Sequence, residues 1–317
     1  MTRGLCAFCL TLAASAAGCI REQHAAESDA AWAPVTASAR ATDRARELAG
    51  PPLATWVWDA RTVTAPDRRR ALLAFAVEKG VRTLFVQASK TYLDDSGFAA
   101  LAELAAASER AGFSIVLTGG EPAWSSAEGH ARALDFLAVV AELEARLAKR
   151  ELAHSRRVLL DVEPYLLPAW KTAPERAAAE HTELLRALHA AARGAGLEVW
   201  HTIPFWFAST YAQGRSLDRL TLELSDGVVV MAYRDRAADV VAAAAPTLAA
   251  AAELEKPVIV AVETKCVEPA YVTFCGKKPQ VLGEALNAVR SRFASTPAFA
   301  GLAVHYFDSW QDLDGKS

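Results

Sequence analysis

The 317-residue chain is long enough for one large domain or two modest ones, and α/β barrels commonly use about 250 residues as a single domain. Its net charge is -3, and acidic and basic residues are interspersed without a long basic run, so the composition argues against nucleic-acid binding. Hydrophobic residues make up 52% of the chain, but charge or proline interrupts every alanine-rich stretch within the roughly 20 residues that a membrane span needs.

The first 18 residues predict a signal peptide, since Arg3 gives a positive start and residues 5–17 form an apolar stretch. The run Ala16-Ala17-Gly18-Cys19 resembles a bacterial lipobox, with alanine where leucine is commoner. That resemblance implies cleavage before Cys19 and attachment of lipid to its sulfur. There are two alternatives. The segment is an ordinary signal peptide in which the cysteine is incidental, or it is a buried N-terminal helix.

We therefore expect an exported lipoprotein, anchored to a membrane on its periplasmic or cell-surface side. Residues 19–50 lack a sustained apolar face and are predicted to form a lipid-anchored tether with an N-terminal helix. Residues 51–317 are predicted to form the folded body, which we expect to be a monomer.

The cysteine count fits export. Cys6 and Cys9 leave with the signal peptide and Cys19 is consumed by lipid, so only Cys266 and Cys275 remain. An oxidising compartment favours a disulfide between these two across a short loop, whereas two free thiols are expected if the protein is cytosolic.

From residue 53 onward, short β-rich runs alternate with alanine-rich stretches of helical period, a pattern typical of βα units and a parallel sheet. The predicted strands are 53–59, 81–87, 113–118, 158–163, 197–203, 227–233, 257–263 and 301–307. Eight such units predict a single α/β domain, a closed (β/α)8 TIM barrel. An open doubly wound sheet is the alternative, but it needs a glycine-rich nucleotide loop after the first strand, where this chain has Trp58-Asp59-Ala60-Arg61.

The end of the chain is short for this architecture. Only ten residues follow the eighth predicted strand, too few for a regular closing helix. We expect either that this helix is missing or that another segment covers that side, and residues 37–48 form a candidate helix for that place.

Barrel proteins collect their functional residues at the carboxyl ends of the strands and in the loops that follow. Five of the eight tryptophans of this chain fall there beside carboxylates, the combination needed to bind the apolar face and the hydroxyl rim of a sugar. For any single tryptophan, packing as core is the alternative. The candidate substrate-binding residues are Trp56, Trp58, Gln87, Glu121, Trp124, Trp206, Met231, Asp235, His305 and Trp310.

No phosphate-binding glycine loop, nucleophile elbow or helical zinc motif occurs in the sequence, so we predict neither a cofactor nor a metal. A metal-dependent hydrolase or deacetylase is a further alternative. His201 and His305, which lie near strand ends, show no recognisable ligand spacing for it.

The fourth predicted strand ends in Asp161 and Glu163, two residues apart, so strand alternation places both carboxylates on one face. A charged Asp161 is expected to raise the pKa of Glu163, and a glutamate that stays protonated near neutral pH can donate a proton to a leaving oxygen. Solvation of both acids at the rim is the alternative.

Three short motifs, in the right order along the chain, extend this interpretation. Asp161-Val162-Glu163 resembles the end of a D-x-x-D-x-D-x-E signature, Met231-Ala232-Tyr233-Arg234-Asp235 is similar to a Met-x-Tyr-Asp motif, and Trp310 matches a tryptophan after the eighth strand. All three are features of glycoside hydrolase family 18, the chitinase-like barrels. The resemblance implies that Glu163 is the general acid/base, that Asp161 orients a substrate acetamido group acting as internal nucleophile, and that Tyr233 assists.

Two departures from that family are visible in the sequence. Arg156 and Leu159 stand where the family has its two earlier aspartates, and Arg234 is inserted before Asp235. The missing aspartates favour a different class of function, a non-catalytic carbohydrate-binding lipoprotein that keeps the barrel mouth without turnover.

A second resemblance competes for the same glutamate. Val162-Glu163-Pro164 on the fourth strand and Glu263 at the end of the seventh look like the acid/base and the nucleophile of the retaining glycosidase clan that uses those two strands. In such enzymes the two carboxyl groups lie about 5 to 5.5 Å apart. A salt bridge between Glu263 and Lys265 is the alternative explanation for the acid on the seventh strand.

Overall fold

The computed structural model describes residues 52–152 and 155–315. The predicted signal peptide, Cys19, the tether and the candidate helix at 37–48 lie outside the described residues.

Eight parallel strands close into a barrel, with neighbours in the order β1-β8-β7-β6-β5-β4-β3-β2, so the predicted (β/α)8 fold is confirmed. Each strand lies where the sequence placed it, within a few residues. The bounds are β1 Leu53–Val57, β2 Val81–Gln87, β3 Ser114–Gly119, β4 Arg157–Leu160, β5 Glu198–Pro204, β6 Gly227–Met231, β7 Val258–Glu263 and β8 Phe299–His305. A two-stranded antiparallel hairpin, Tyr211–Ala212 with Arg215–Ser216, follows β5.

Helices surround the barrel. Their bounds are α1 Ala60–Thr64, α2 Pro66–Lys79, α3 Asp95–Ala111, α4 His130–Lys149, α5 Pro168–Thr172, α6 Pro174–Gly194, α7 Leu217–Glu223, α8 Ala237–Glu253, α9 Pro279–Phe293 and α10 Phe307–Leu313. Gly80 and Gly112 end α2 and α3 in the left-handed conformation, φ 68° and 77°, which glycine adopts without steric cost. Across residues 52–152 and 155–315, none of the helices is both long and apolar enough to cross a membrane.

The barrel does have a closing helix, although a short one. The seven residues of α10 follow β8, and Phe307 and Trp310 pack edge-on against Phe75 of α2, with ring centroids 5.4 and 5.2 Å apart. Beyond α10, Asp314 forms an ion pair with Lys79 at the end of α2. Two large aromatic side chains therefore let a helix of two turns cover the side of the barrel next to β8, for which the sequence has too few residues to form a regular closing helix.

The interior of the barrel is a packed core rather than a channel. Its buried side chains include Trp56, Phe85, Leu159, Trp200 and Val229, each from a different strand. Asp161 follows directly on the end of β4, two residues after the inward-facing Leu159, and Tyr233, just past the end of β6, packs against the same interior cluster. These positions bring chemically active side chains to the barrel mouth, directly above the core.

The loop after β7 carries the predicted disulfide. Cys266 and Cys275 are bonded, with their Cα atoms 5.0 Å apart and a sequence separation of nine. The loop folds back onto the end of β7, where the Phe274 backbone N–H donates to the Glu263 carbonyl at 2.8 Å.

Candidate functional site

Asp161 and Glu163 lie just past the end of β4, at the barrel mouth. The Asp161 backbone N–H donates to the Gly119 carbonyl at 3.0 Å, which continues the β3–β4 ladder beyond the strand. At Gly120 the two chains approach so closely that a Cβ atom would lie 1.9 Å from the Asp161 carbonyl oxygen. Only glycine fits there, so the end of β3 is shaped to hold the backbone of the acid pair.

The Asp161 carboxyl is poorly compensated. Its Oδ1 is inaccessible to solvent and has no hydrogen-bond partner among the described residues. Burial, with a smaller contribution from neighbouring Glu163, raises the pKa of Asp161 to about 7. Asp161 is thus the enclosed member of the pair, and its enclosure is what favours the protonated form of its carboxyl.

Glu163 contacts an aromatic cluster. The Tyr165 hydroxyl donates a hydrogen bond to Glu163 Oε1, and the Tyr165 ring packs edge-on against Trp206 at 5.1 Å. Burial, followed by the charge of Glu163, raises the pKa of Tyr165, so this phenol keeps its proton and acts as a donor. The second oxygen of Glu163 has no such partner within the described part of the chain.

Tyr233, two residues past β6, packs against the interior core below the acids of the mouth. Burial raises its pKa well above the ordinary value, and next in size come the negative charges of Glu263 and Asp161. Its ring stacks on His305 with centroids 6.1 Å apart. A protonated phenol among several carboxylates is suited to donate a hydrogen bond to a bound substrate.

Both carboxylate oxygens of Glu263, at the end of β7, have hydrogen-bond partners within the protein. Its Oε1 accepts from the backbone N–H groups of Thr264 at 2.8 Å and Lys265 at 2.7 Å, and its Oε2 lies 2.9 Å from His305 Nδ1. The residue is only 4% exposed. No ion pair with the Lys265 ammonium is present in the described residues, so the contact to Lys265 is through the backbone.

His305 and Trp58 extend this arrangement into a hydrogen-bonded chain. The indole N–H of Trp58 donates to His305 Nε2 at 2.9 Å. Because an indole nitrogen is only a donor, His305 Nε2 must be unprotonated, and the ring proton therefore sits on Nδ1 and is donated to Glu263. The Trp58–His305–Glu263 chain thus fixes a neutral imidazole in one tautomer and orientation.

The other predicted binding residues fall in three cavities around the mouth. Trp58 and His305 line a cavity of about 640 Å³, together with Arg68 and Lys265. Gln87, Glu121 and Trp124 line one of about 490 Å³ beside β2 and β3, and Trp206 and Asp235 line one of about 580 Å³ beside β5 and β6.

Several predicted binding residues are packed into the protein. Trp56 is fully buried in the interior core, 4.8 Å from the Phe85 ring, and Trp310 is buried against Phe75. Trp124, although it borders its cavity, is 5% exposed and packs on Phe136, and Met231 is 7% exposed. Trp56 and Trp310 therefore have structural positions and do not present a face to a ligand.

Two side chains at the barrel mouth were not predicted from the sequence to bind substrate. Trp170 in α5 lies 6.2 Å from Trp206 and stacks on Phe207 at 6.0 Å, enlarging the aromatic cluster beside Glu163. Arg234 borders the same cavity as Trp206. The signal for Trp170 was its closeness in sequence to Glu163, and that for Arg234 was its insertion before Asp235.

The described residues contain no group of three or more His, Cys, Asp or Glu side chains arranged to hold a metal ion. His201 lies outside the barrel interior, on the opposite face of β5 from Trp200. Burial, together with the nearby His181 and His189, lowers the pKa of His201 to about 3, so it is neutral.

No protein-family model and no curated protein match the chain. Solved glycoside hydrolase barrels share its fold. A GH18 chitinase from Pseudoalteromonas aurantia superposes with a TM-score of 0.55 at 14% identity, over 83% of this chain and 96% of the chitinase. A fungal β-1,4-galactanase gives 0.54 at 14% identity, over 81% and 89% of the two chains. The exo-β-1,4-mannosidase Op5Man5 from Opitutaceae bacterium strain TAV5 gives 0.55 at 12%, over 81% and 52%.

Proposed function

We propose that this barrel is a glycoside hydrolase related to the chitinase-like barrels of family 18, with Glu163 as its general acid/base. The observation that carries the proposal is the acid pair past β4. Asp161 is enclosed, with a pKa of about 7, and Glu163 faces a cluster of aromatic side chains. The fold shared with a chitinase, a galactanase and a mannosidase supports a carbohydrate substrate.

In the proposed reaction Glu163 protonates the leaving glycosidic oxygen while the substrate's own acetamido oxygen attacks the anomeric carbon. Ionised Asp161 accepts a hydrogen bond from the acetamido N–H, and Tyr233 donates one to the acetamido oxygen. Water then opens the cyclic intermediate, with Glu163 accepting the proton of that water. A pKa near 7 lets Asp161 hold a proton in the empty site and pass it to Glu163 when the acetamido N–H arrives, so that Asp161 is ionised and Glu163 has the proton that it gives to the leaving oxygen.

Glu263 has a different role in this proposal. A covalent nucleophile must turn an oxygen toward the anomeric carbon, but both oxygens of Glu263 are already held, by two backbone amides and by His305. We assign it as a positioning residue that orients His305 and Trp58. A retaining mechanism through Glu263 would have to break these hydrogen bonds first.

The central test is hydrolysis of chromogenic N-acetylglucosaminides by the parent chain and by Glu163→Gln, with galactosides and mannosides, which lack the acetamido group, as glycosides that the proposed reaction leaves intact. Loss of general acid catalysis lowers the rate about 10²- to 10⁴-fold. Thr172→Ala, in the nearby exposed end of α5, is the matched control and is expected to retain the parent rate. If the parent binds sugars but hydrolyses none of these glycosides, the chain is a binding protein, whereas equal hydrolysis by the parent and by Glu163→Gln would contradict the role of Glu163.

We also propose that the chain is exported and anchored by lipid on Cys19. The charged and apolar N-terminal run supports this proposal, and so does the disulfide, which suits an oxidising compartment. Membrane fractionation of the parent and of Cys19→Ser tests it. Uncut Cys19→Ser that remains membrane-bound to the same extent as the parent would argue against lipid anchoring.

A further inference from the structure

A cavity of about 580 Å³ opens beside the proposed catalytic pair, between the loops after β5 and β6 and helix α8. Its lining includes Phe205, Trp206, Arg234 and Tyr271. Trp206 also contacts Tyr165, the hydrogen-bond donor to Glu163. A sugar unit in this cavity would therefore adjoin the unit bound at Glu163.

Arg234 is held in place by uncharged groups. Its Nη1 donates to the Tyr233 carbonyl at 2.7 Å, and its guanidinium lies 4.5 Å from the centre of the Phe205 ring and 5.5 Å from that of Tyr271. A guanidinium has five N–H donors, and stacking on aromatic rings leaves its in-plane donors available. The side chain is thus oriented before any ligand arrives.

The charges around the cavity are unevenly balanced. Asp235 is paired with Lys277, and Arg236 lies 3.9 Å from Asp239. Within residues 52–152 and 155–315, Arg234 forms no ion pair with a carboxylate. The insertion of Arg234 before Asp235 therefore leaves an uncompensated cation at the end of β6, while the neighbouring carboxylate is neutralised by the loop that follows β7.

We propose that this cavity binds an anionic sugar unit, bearing a carboxylate or a sulfate, whose charged group pairs with Arg234 while its ring contacts Trp206. This inference rests on the proposed function and narrows its substrate to acidic glycans. Carboxylate and sulfate both match the forked donors of arginine, and such charge-assisted pairs are about twice as strong as neutral hydrogen bonds.

Binding of matched oligosaccharides tests the proposal. The protein used is the full chain carrying Glu163→Gln, a substitution chosen to prevent turnover of the probes. The probes are N-acetylchitotetraose and cellotetraose, each as the neutral, the 6-carboxylate and the 6-sulfate form. We expect one anionic form to bind at least about tenfold more tightly than its neutral parent in calorimetry, an advantage that shrinks as salt is added. The preferred form distinguishes carboxylate from sulfate.

Added substitutions locate the effect. Arg234→Gln is expected to reduce the anionic preference to within about twofold, and Arg234→Lys to leave an intermediate preference because it keeps the charge without the fork. Arg193→Gln, at an exposed position outside the cavity lining, is the control and is expected to keep the full preference. Equal melting temperatures for the three variants show that folding is intact. The proposal is overturned if no anionic form binds more tightly than its neutral parent, or if the preference survives in both Arg234 variants.

Hydrolysis of the same six probes by the parent chain separates this inference from the proposed function. Arg234-dependent binding of an anionic form, with no hydrolysis of any N-acetylchitotetraose form, supports the cavity and contradicts the enzyme. Hydrolysis that depends on Glu163 but shows no preference for anionic forms supports the enzyme and contradicts the cavity.

Discussion

The two sides of the barrel mouth hold their carboxylates in opposite ways. Past β4, Asp161 has a buried oxygen without a partner and a pKa of about 7. At the end of β7, Glu263 accepts from two backbone amides and from His305. The sequence shows an acid at each of these strand ends, and the structure distinguishes them: the raised pKa of Asp161 lets it gain or lose a proton near neutral pH, whereas both oxygens of Glu263 are held by hydrogen bonds. We therefore assign chemistry to the β4 side and positioning to the β7 side.

Gly120→Ala is expected to have the largest effect on stability, because its Cβ atom would lie 1.9 Å from the Asp161 carbonyl oxygen and the backbone on both sides must move. We expect a loss of about 3 kcal/mol, together with most of the activity, measured by urea unfolding and by hydrolysis. Gly283→Ala in α9 is the control, since nothing lies within 4 Å of its added Cβ. It is expected to stabilise the protein by about 0.5 to 1 kcal/mol. Equal unfolding midpoints for the two variants would contradict this account of the β3–β4 contact.

Removing the disulfide with Cys266→Ser and Cys275→Ser perturbs the β7 side alone. The bond closes a loop with a sequence separation of nine, so the free energy of unfolding should fall by about 2 to 3 kcal/mol. Activity measured well below the melting temperature should be retained, because the acid pair belongs to the β4 side. A loss of activity in fully folded protein would show that the β7 loop takes part in chemistry.

Glu263→Gln sharpens the comparison from the same side. The substitution replaces a charged acceptor of three hydrogen bonds by a neutral amide, which faces His305 Nδ1 either with its N–H2 group, a donor, or with its oxygen, a weaker acceptor than the carboxylate. We therefore expect the free energy of unfolding to fall by about 1.5 to 2 kcal/mol. Nitrogen-15 shifts of the His305 ring should report the changed tautomer balance. Unchanged stability and an unchanged imidazole spectrum would contradict the Trp58–His305–Glu263 chain.

The pH dependence of stability contains opposing contributions. The raised pKa of Asp161, from 3.8 to about 7, gives stability that is present below pH 3.8 and lost as the pH rises through 7. The lowered pKa values of His181 and His201, about 4 and about 3, give stability that is present above pH 6.5 and lost as the pH falls through those values.

Asp161→Asn removes one of these contributions. Between about pH 4 and 6.5 the parent should lose less stability on acidification than this variant does, by up to about 1.4 kcal/mol per pH unit for the single proton involved. Urea unfolding at several pH values measures the difference. Parallel curves for the two proteins would mean that Asp161 titrates in the folded state as it does in the unfolded chain.

The parts of the molecule that depend on local pattern could be predicted from the sequence. Alternating β-rich and helical runs placed all eight strands, and the acid pair follows directly on β4, whose Leu159 lies in the interior core. The cysteine count correctly paired Cys266 with Cys275.

Contacts between distant parts of the chain could not be predicted. His305 is 42 residues from Glu263 and 247 from Trp58 in sequence, so no local spacing predicts the hydrogen bonds that join the three side chains. Burial of a tryptophan likewise depends on partners brought by other elements. Trp310 is covered by Phe75, far from it in sequence, while Trp206 keeps one side on a cavity.

The most direct measurement compares kcat/KM for Asp161→Asn and Glu263→Gln on an N-acetylated glycoside that the parent hydrolyses, with both variants fully folded. We predict a loss of about 10² or more for Asp161→Asn, and for Glu263→Gln a rate within about tenfold of the parent. Near-normal turnover by Asp161→Asn, together with a glycosyl group trapped on Glu263, would contradict the assignment of chemistry to the β4 side.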